Sequence, residues 1–312
     1  MTSKFKIAIL GIGGVGGYIG GKLAAHFSNS NEFEIIFIAR GENEKAIKSH
    51  GLKLITSGGN QISHPTIITS QPGEMGLVDL IICCTKSYDL ETSIESVKHF
   101  MSSKTIILPL LNGVDAADRI KKIIPQAEVW EGCIYIVSRL ISPGIVKESG
   151  NINSLYFGSP QASNEKLQQV ETILKSANIN AHLSENILQT VWEKFLFISP
   201  LATVTTYLDL TVGDILKNKS HKELLIHLLT ELKQIADAKE ISLSENIIQK
   251  IIDKVRSLSP GTTSSMHSDF QKGNKTELNS LTAYVVQAGK ELGIPTPYYS
   301  KTLIALKEKT TN

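Results

Sequence analysis

The first half of the chain alternates short apolar runs with segments of helical spacing. Apolar residues fill most positions of four runs, which we predict to be strands: 6–10, 34–39, 78–85 and 105–111. Such runs are typical of parallel strands that helices cover on both faces. Three further runs are separated only by short turns and predict a hairpin-like addition: 129–140, 144–148 and 153–158.

The second half of the chain has a different pattern. From about residue 185, apolar residues recur at helical spacing, most clearly over 224–235, 247–255 and 281–292. Gly293 and Pro295 follow the last stripe, and this pair is a typical helix stop. We therefore predict an α/β domain with a mostly parallel sheet at 1–182, followed by an all-helical domain at 183–312.

Composition and charge exclude several classes of protein. The 312 residues are 41% hydrophobic and 20% charged, which excludes a disordered or collagen-like chain. Lysine and arginine number 32 against 30 aspartate and glutamate, a net charge of +2. Because the two charges are nearly equal, the chain has no strong electrostatic attraction to nucleic acid or to a membrane surface, and we expect neither as a partner.

The cysteines and the N-terminal segment indicate the cellular compartment of the protein. Cys83, Cys84 and Cys133 form an odd set without a C-x-x-C motif, which argues against disulfides or a zinc site. No two of the eight histidines are spaced as H-x-x-x-H, so we expect no metal. The first twenty residues loosely resemble a signal peptide, but their glycines and the lack of a cleavage motif favour a strand and a turn. We therefore expect a cytoplasmic protein.

A glycine-rich loop follows the first predicted strand. Gly11, Gly13 and Gly16 form G-x-G-x-x-G, with Gly14 and Val15 between them, and a predicted helix follows. In this context the first glycine allows a tight turn, the second lets the backbone approach a pyrophosphate, and the third lets helix pack on strand. The helix N-terminus then faces the phosphates. This predicts a Rossmann-type dinucleotide-binding domain; the alternative is a glycine-rich turn without a ligand.

The end of the second predicted strand indicates which dinucleotide binds. A protein that binds NAD usually has an acidic residue there for the ribose 2′-hydroxyl, whereas this chain has Arg40. An arginine fits a 2′-phosphate through charge-assisted hydrogen bonds, so we predict NADPH as the cofactor. The alternative is an ordinary surface arginine at the start of a loop.

Two later strands also end in polar residues. Lys86 follows one strand and Asn112 follows another. Ligands of open parallel sheets bind beyond the carboxyl ends of the strands, so both side chains are candidates for contact with the cofactor. The alternatives are a solvated loop lysine and a turn residue ahead of Gly113.

The helical half contains the candidate acid and a polar segment. Lys194 shares a predicted helix face with Phe197 and Ile198, and apolar neighbours ease proton release from a lysine. The alternative is a lysine that extends its ammonium group into water. Ser265 and Glu277 lie in a polar segment between two apolar helices and could bind substrate, or the segment could be a solvated loop.

Eight short motifs carry a more specific signal through their order and spacing. They are Gly11-x-Gly13-x-x-Gly16, Arg40-Gly41, Cys84-Thr85-Lys86, Leu111-Asn112-Gly113, Trp192-Glu193-Lys194-Phe195, Ser264-Ser265-Met266-x-x-Asp269, Gly273-x-x-Thr276-Glu277 and Gly293-Ile294-Pro295. Together they resemble the ketopantoate reductases (2-dehydropantoate 2-reductases) nearly end to end. The resemblance implies NADPH-dependent reduction of the 2-oxo acid ketopantoate to (R)-pantoate for pantothenate synthesis.

The resemblance also implies roles for residues of this chain. Arg40 would hold the 2′-phosphate, and Lys86 and Asn112 would line the nicotinamide site, with Asn112 also near the substrate. Lys194 would be the general acid. Two more residues would bind substrate beside it, namely Ser265 and Glu277, the latter within the catalytic site.

One feature departs from the family pattern. Family members often carry asparagine four and eight positions after the catalytic lysine, where this chain has Ile198 and Ala202. Hydrogen bonds to substrate hydroxyls would then be missing or come from Ser199 or Thr203. Two alternatives follow: an NADPH-dependent reductase of another 2-oxo acid, or an NADP(H)-sensing protein without turnover. A homodimer is compatible with either.

Overall fold

A computed structural model describes residues 4–311 of the chain. It divides into two compact units. The first comprises the chain up to Leu111 together with Asp115–Ile187. The second comprises Asn112–Val114 together with the chain from Leu188 onward.

All strands of the described chain lie in the first unit. They are β1 (Phe5–Leu10), β2 (Phe33–Ile38), β3 (Leu52–Thr56), β4 (Gly59–Ser63), β5 (Ile67–Thr69), β6 (Val78–Cys83), β7 (Met101–Pro109), β8 (Glu128–Val129), β9 (Glu131–Ser142), β10 (Ile145–Gly158) and β11 (Asn180–Leu183). Six form a parallel sheet in the order β5-β2-β1-β6-β7-β8. This confirms the predicted α/β fold with a mostly parallel sheet.

A second sheet has the order β11-β10-β3-β4, and β9 pairs with β10. The pairing of β9 with β10 is antiparallel, which confirms the predicted hairpin. The two runs predicted after the turn belong to one strand, β10, whose register shifts between Glu148 and Asn153. The sequence pattern did not reveal β3, β4, β5 and β11, because none of these strands is longer than five residues.

Helices cover the parallel sheet on both faces. The helices of this unit are α1 (Gly14–His26), α2 (Gly41–His50), α3 (Leu90–Val97), α4 (Ala116–Ile123) and α5 (Asn164–Ser176). Ile7 and Ile9 of β1 pack in one core cluster, and Ala8 and Leu10 pack in another. Since side chains alternate along a strand, these two clusters lie on opposite faces of the sheet. Both faces are buried, and the strands are therefore continuously apolar.

The second unit is helical over its described residues. Its helices are α6 (Ile187–Leu208), α7 (Val212–Lys217), α8 (Lys219–Ala238), α9 (Ile247–Arg256), α10 (Ser265–Gln271), α11 (Tyr284–Leu292) and α12 (Pro297–Thr311), with a π-helical turn at Asn279–Ala283. Phe195, Leu228 and Tyr299 are fully buried in its core. Gly293 ends α11 in the left-handed conformation, with φ at 70°. Within residues 4–311, no helix combines the length and apolar character that crossing a membrane requires.

Candidate active site

The glycine loop lies between β1 and α1, and two of its glycines are needed for close packing. Gly11 follows β1 with φ at 93°, a conformation that favours glycine. A Cβ atom at Gly16 would lie 2.0 Å from the carbonyl oxygen of Gly11. Any larger residue at position 16 would therefore push α1 away from the strand.

Gly13 differs from these two glycines because a Cβ atom there would meet nothing within 4 Å. It precedes α1, and the first turn of that helix has neither a side-chain cap nor an acidic residue. The N–H groups of a first turn have no partner within their helix and form the positive end of its dipole. Open space in front of such a turn fits a dinucleotide pyrophosphate. Gly14 and Val15 begin the helix, with Val15 partly buried against the core.

Two side chains hold the loop from outside it. Ser138 of β9 donates a 2.9 Å hydrogen bond to the carbonyl of Gly14. Asn43 of α2 donates a 2.8 Å bond to the carbonyl of Ile12 and accepts a 2.8 Å bond from the N–H of Gly144. Asn43 thus joins the loop to the β9–β10 turn. Sequence reasoning missed both residues, because neither lies in a motif and their contacts depend on the second sheet.

Arg40 and Lys86 are exposed at the ends of strands that flank β1. Arg40 follows β2 and precedes α2, while Lys86 follows β6 and precedes a short helical turn. The strands β2, β1 and β6 are parallel neighbours, so their carboxyl ends share one edge of the sheet. The glycine loop lies at that edge too, where open α/β sheets bind ligands.

Three predicted site residues meet within the second unit. The ammonium group of Lys194 donates a 3.0 Å hydrogen bond to Oδ1 of Asn112. The amide of Asn112 in turn donates a 3.3 Å bond to Oε2 of Glu277. Lys194 and Glu277 are only 6% and 4% exposed. A lysine and a carboxylate this deeply buried need polar partners, and the amide between them is one.

Glu277 lies beside an irregular piece of backbone. It lies just before the π-helical turn, and the hydroxyl of Ser280 in that turn donates a 3.3 Å bond to the Glu277 carbonyl. Such turns are rare and occur often at functional sites. Nothing in the apolar spacing of this segment could have predicted the turn.

Ser265 lies apart from these three residues. It is exposed as the first residue of α10, and within the described chain no hydrogen bond joins its side chain to Asn112, Lys194 or Glu277. The preceding residue, Ser264, caps α10 by accepting a 3.0 Å bond from the N–H of His267. The polar segment that resembled a loop therefore contains a short helix.

Metal and thiol chemistry find no support at these positions. Among residues 4–311, no group of three histidine, cysteine or acidic side chains could hold a metal ion. Burial raises the pKa of the Cys83 and Cys84 thiols, which keeps both protonated and unreactive.

Family comparison covers both halves of the chain. Residues 7–162 match the model described as ketopantoate reductase PanE/ApbA, and residues 186–310 match the model for the C-terminal part of the same proteins.

Individual relatives cover nearly the whole chain. A crystal structure of 2-dehydropantoate 2-reductase from Porphyromonas gingivalis W83 is 33% identical, with a TM-score of 0.84 over 96% of this chain and 98% of that one. A structure of D-mandelate dehydrogenase with NADH and anilino(oxo)acetate is 25% identical, with a TM-score of 0.85 over 98% and 99%. The uncharacterized oxidoreductase YkpB of Bacillus subtilis (strain 168) is 26% identical over 293 residues, 94% of each chain.

Proposed function

Because this chain belongs to the ketopantoate reductase PanE/ApbA family, we propose that it uses NADPH to reduce a 2-oxo acid to the 2-hydroxy acid. Ketopantoate, whose reduction to (R)-pantoate serves pantothenate synthesis, is one candidate substrate within this class, because family members are described as ketopantoate reductases. The observation that carries the proposal is the hydrogen-bonded series Lys194, Asn112 and Glu277, because it offers a buried acid to a developing alkoxide. We propose the cytoplasm as its location.

Lys194 is the proposed general acid. Reduction of a ketone forms a C–H bond at the carbonyl carbon and leaves negative charge on the oxygen. An ammonium group stabilises that charge and then gives the oxygen its proton, so that the product is a neutral hydroxyl. Asn112 fixes the direction of the ammonium group by accepting one of its three donors.

Glu277 is proposed to act through charge and orientation. Its carboxylate holds the amide of Asn112, so the carbonyl oxygen of that amide faces Lys194. The negative charge of the carboxylate also attracts the ammonium group of Lys194. Ser265, exposed at the first turn of α10, is proposed to bind the substrate carboxylate.

NADPH is the proposed cofactor, and when bound it supplies the hydride. The open space at Gly13 and the uncapped first turn of α1 fit its pyrophosphate. Arg40 would hold the 2′-phosphate, while Lys86 and Asn112 would line the nicotinamide site. The D-mandelate dehydrogenase structures contain NADH, so the choice of NADPH for this chain depends on Arg40.

The test is consumption of the reduced nicotinamide, followed by its absorbance, with ketopantoate and a panel of other 2-oxo acids. We expect turnover with NADPH, slower turnover with NADH, and formation of the 2-hydroxy acid. NADPH binding without turnover of any 2-oxo acid would contradict the proposal and favour the NADP(H)-sensing alternative.

A further inference from the structure

On the C-terminal side of Lys194, the residues of its face of α6 are apolar, and this bears on the substrate. We propose that the preferred substrate is a 2-oxo acid whose side chain carries no hydroxyl group, and that Ile198 determines this specificity. The inference rests on the proposed 2-oxo-acid reduction and names the substrate class of that same site.

Ile198 lies next to Lys194 on the surface of α6. A residue four positions further along a helix is rotated by only about 40°. Helical side chains also lean toward the N-terminus, so Ile198 covers the turn that carries Lys194. Ile198 is partly exposed, whereas Leu201 and Ala202, further along the same face, are buried. On this side of Lys194, α6 therefore presents a hydrocarbon surface to a bound substrate.

The hydroxyl groups of this part of α6 are fully buried and already bonded. Ser199 donates a 2.6 Å bond to the carbonyl of Leu281 and lies 2.7 Å from the hydroxyl of Tyr299. Burial raises the pKa of Tyr299, so its phenol stays protonated and donates to Ser199. Thr203 pairs with Thr282 at 2.8 Å. Both Ser199 and Thr203 are 0% exposed, and neither can take over the contacts that Ile198 and Ala202 lack.

Two polar groups near Lys194 serve the other end of the substrate. Asn112 and Glu277 are bonded in series to Lys194, and we have assigned that group to the carbonyl oxygen. A hydroxyl on the substrate side chain would lose its water against Ile198 without gaining a partner there. Hydrocarbon pockets disfavour an added hydroxyl by up to about 10²-fold, whereas sites built for a hydroxyl reject its absence by about 10⁴-fold.

Two substrates that differ by one hydroxyl test the inference directly. Ketopantoate without its 4-hydroxyl is 3,3-dimethyl-2-oxobutanoate, which has the same branched shape. We expect the wild-type protein to give a kcat/KM about tenfold higher for the dimethyl compound. Any preference for ketopantoate overturns the inference but leaves the proposed reductase function standing. No turnover of these two compounds or of any other 2-oxo acid in the panel overturns the proposed function itself.

A substitution assigns the effect to Ile198. The ratio to follow is kcat/KM for 3,3-dimethyl-2-oxobutanoate divided by kcat/KM for ketopantoate. Ile198→Asn should lower this ratio by about tenfold. Ile304→Asn is the matched control, because Ile304 is 60% exposed on α12, and its ratio should equal that of the wild type. An unchanged ratio in a folded Ile198→Asn protein would remove Ile198 as the determinant.

Calorimetry gives a second readout that needs no turnover. It would measure how pantoate and 2-hydroxy-3,3-dimethylbutanoate bind to wild-type protein loaded with NADP⁺. The dimethyl compound should bind more tightly, and tighter binding of pantoate contradicts the inference even if Ile198→Asn fails to fold.

Discussion

The imidazole Nε2 of His267 lies 2.6 Å from Oδ1 of Asp209, and this contact joins α10 to the residue that follows α6. The same oxygen accepts a 3.0 Å bond from Gln271. Asp209 is exposed and has a positive φ of 56°, whereas His267 is buried. Two side chains of α10 therefore bind one carboxylate, and the helix that begins with Ser265 is held in place.

Asp209→Asn should lower stability in a pH-dependent way. The hydrogen bonds from His267 and then Gln271 hold the pKa of Asp209 below its usual value of 3.8. A carboxyl with a lowered pKa stabilises the fold above that usual value and loses its contribution as the pH falls through the folded pKa. Because the carboxylate is exposed, we expect at most about 1 kcal/mol near neutral pH.

Melting curves from neutral pH down to the acid range measure this effect. Asparagine tolerates a positive φ, so the substitution removes the charge at position 209 without straining the backbone. A difference between wild type and variant that grows as the pH falls would contradict the assigned role of the carboxylate.

Lys194→Ala should abolish most of the turnover without unfolding the protein. A positioned acid typically contributes about 10²–10⁴-fold, so we expect kcat to fall by at least about 10²-fold. NADPH affinity should be unchanged. The measurements are steady-state rate, NADPH titration and a melting curve, with the exposed Lys250→Ala as the matched control. A folded Lys194→Ala protein with kcat within a few-fold of wild type would exclude Lys194 as the acid.

Glu277→Gln should weaken substrate use because it removes the charge but retains the shape. A hydrogen bond to a charged group is worth about 1.5–3 kcal/mol, so kcat/KM should fall by roughly tenfold or more. Titration of NADPH by fluorescence should give an unchanged affinity. Ser265→Ala should act in the same direction if Ser265 binds the substrate carboxylate. Normal turnover in both variants would return the segment to a structural role.

Arg40→Ala should change the choice of cofactor. Loss of a charged contact of about 2 kcal/mol would raise the KM for NADPH by roughly 30-fold and leave that for NADH almost unchanged. Lys45→Ala is the control on α2, the helix that Arg40 precedes, since Lys45 is exposed and pairs with Glu42. An equal loss with both cofactors would mean that Arg40 has only a structural role.

Alanine at Gly13 and at Gly16 should have different consequences. At Gly13 the new methyl group meets no atom of the protein, so the melting temperature should stay the same while NADPH affinity falls by about tenfold or more. At Gly16 it would overlap the Gly11 carbonyl and destabilise the fold by about 3 kcal/mol. Calorimetric melting and NADPH titration of both variants separate the two effects. A Gly13→Ala protein that binds NADPH normally would remove Gly13 from the cofactor site.

The parallel sheet and the helical second unit were predictable because burial dictates their patterns. Continuous apolar runs such as Ile7–Leu10 follow from burial on both faces, and the stripes of α8 and α9 follow from burial on one. The strands β3, β4, β5 and β11 were missed, because none is longer than five residues and residues such as Asn60 and Gln61 of β4 are polar and exposed. The domain bounds 1–182 and 183–312 stay a prediction.

For the candidate site, motifs predicted residue types but not the contacts between them. The meeting of Asn112, Lys194 and Glu277 depends on tertiary packing over separations of 82 and 165 residues. Asn43 could not be found at all, since an asparagine in a polar helix start resembles any solvated residue. The roles assigned to these residues stay predictions until the variants above are measured.

The assignment of Asn112–Val114 to the second unit affects how relatives could be recombined. A chimera that exchanges only the residues after Ile187 would bring in a foreign lysine and glutamate but keep the native Asn112 between them. Asn112–Val114 would have to be grafted along with the helices of the second unit if the hydrogen-bonded series is to come from one parent. For the same reason, the fragment 188–312 made alone would lack the amide that separates its buried lysine from its buried carboxylate.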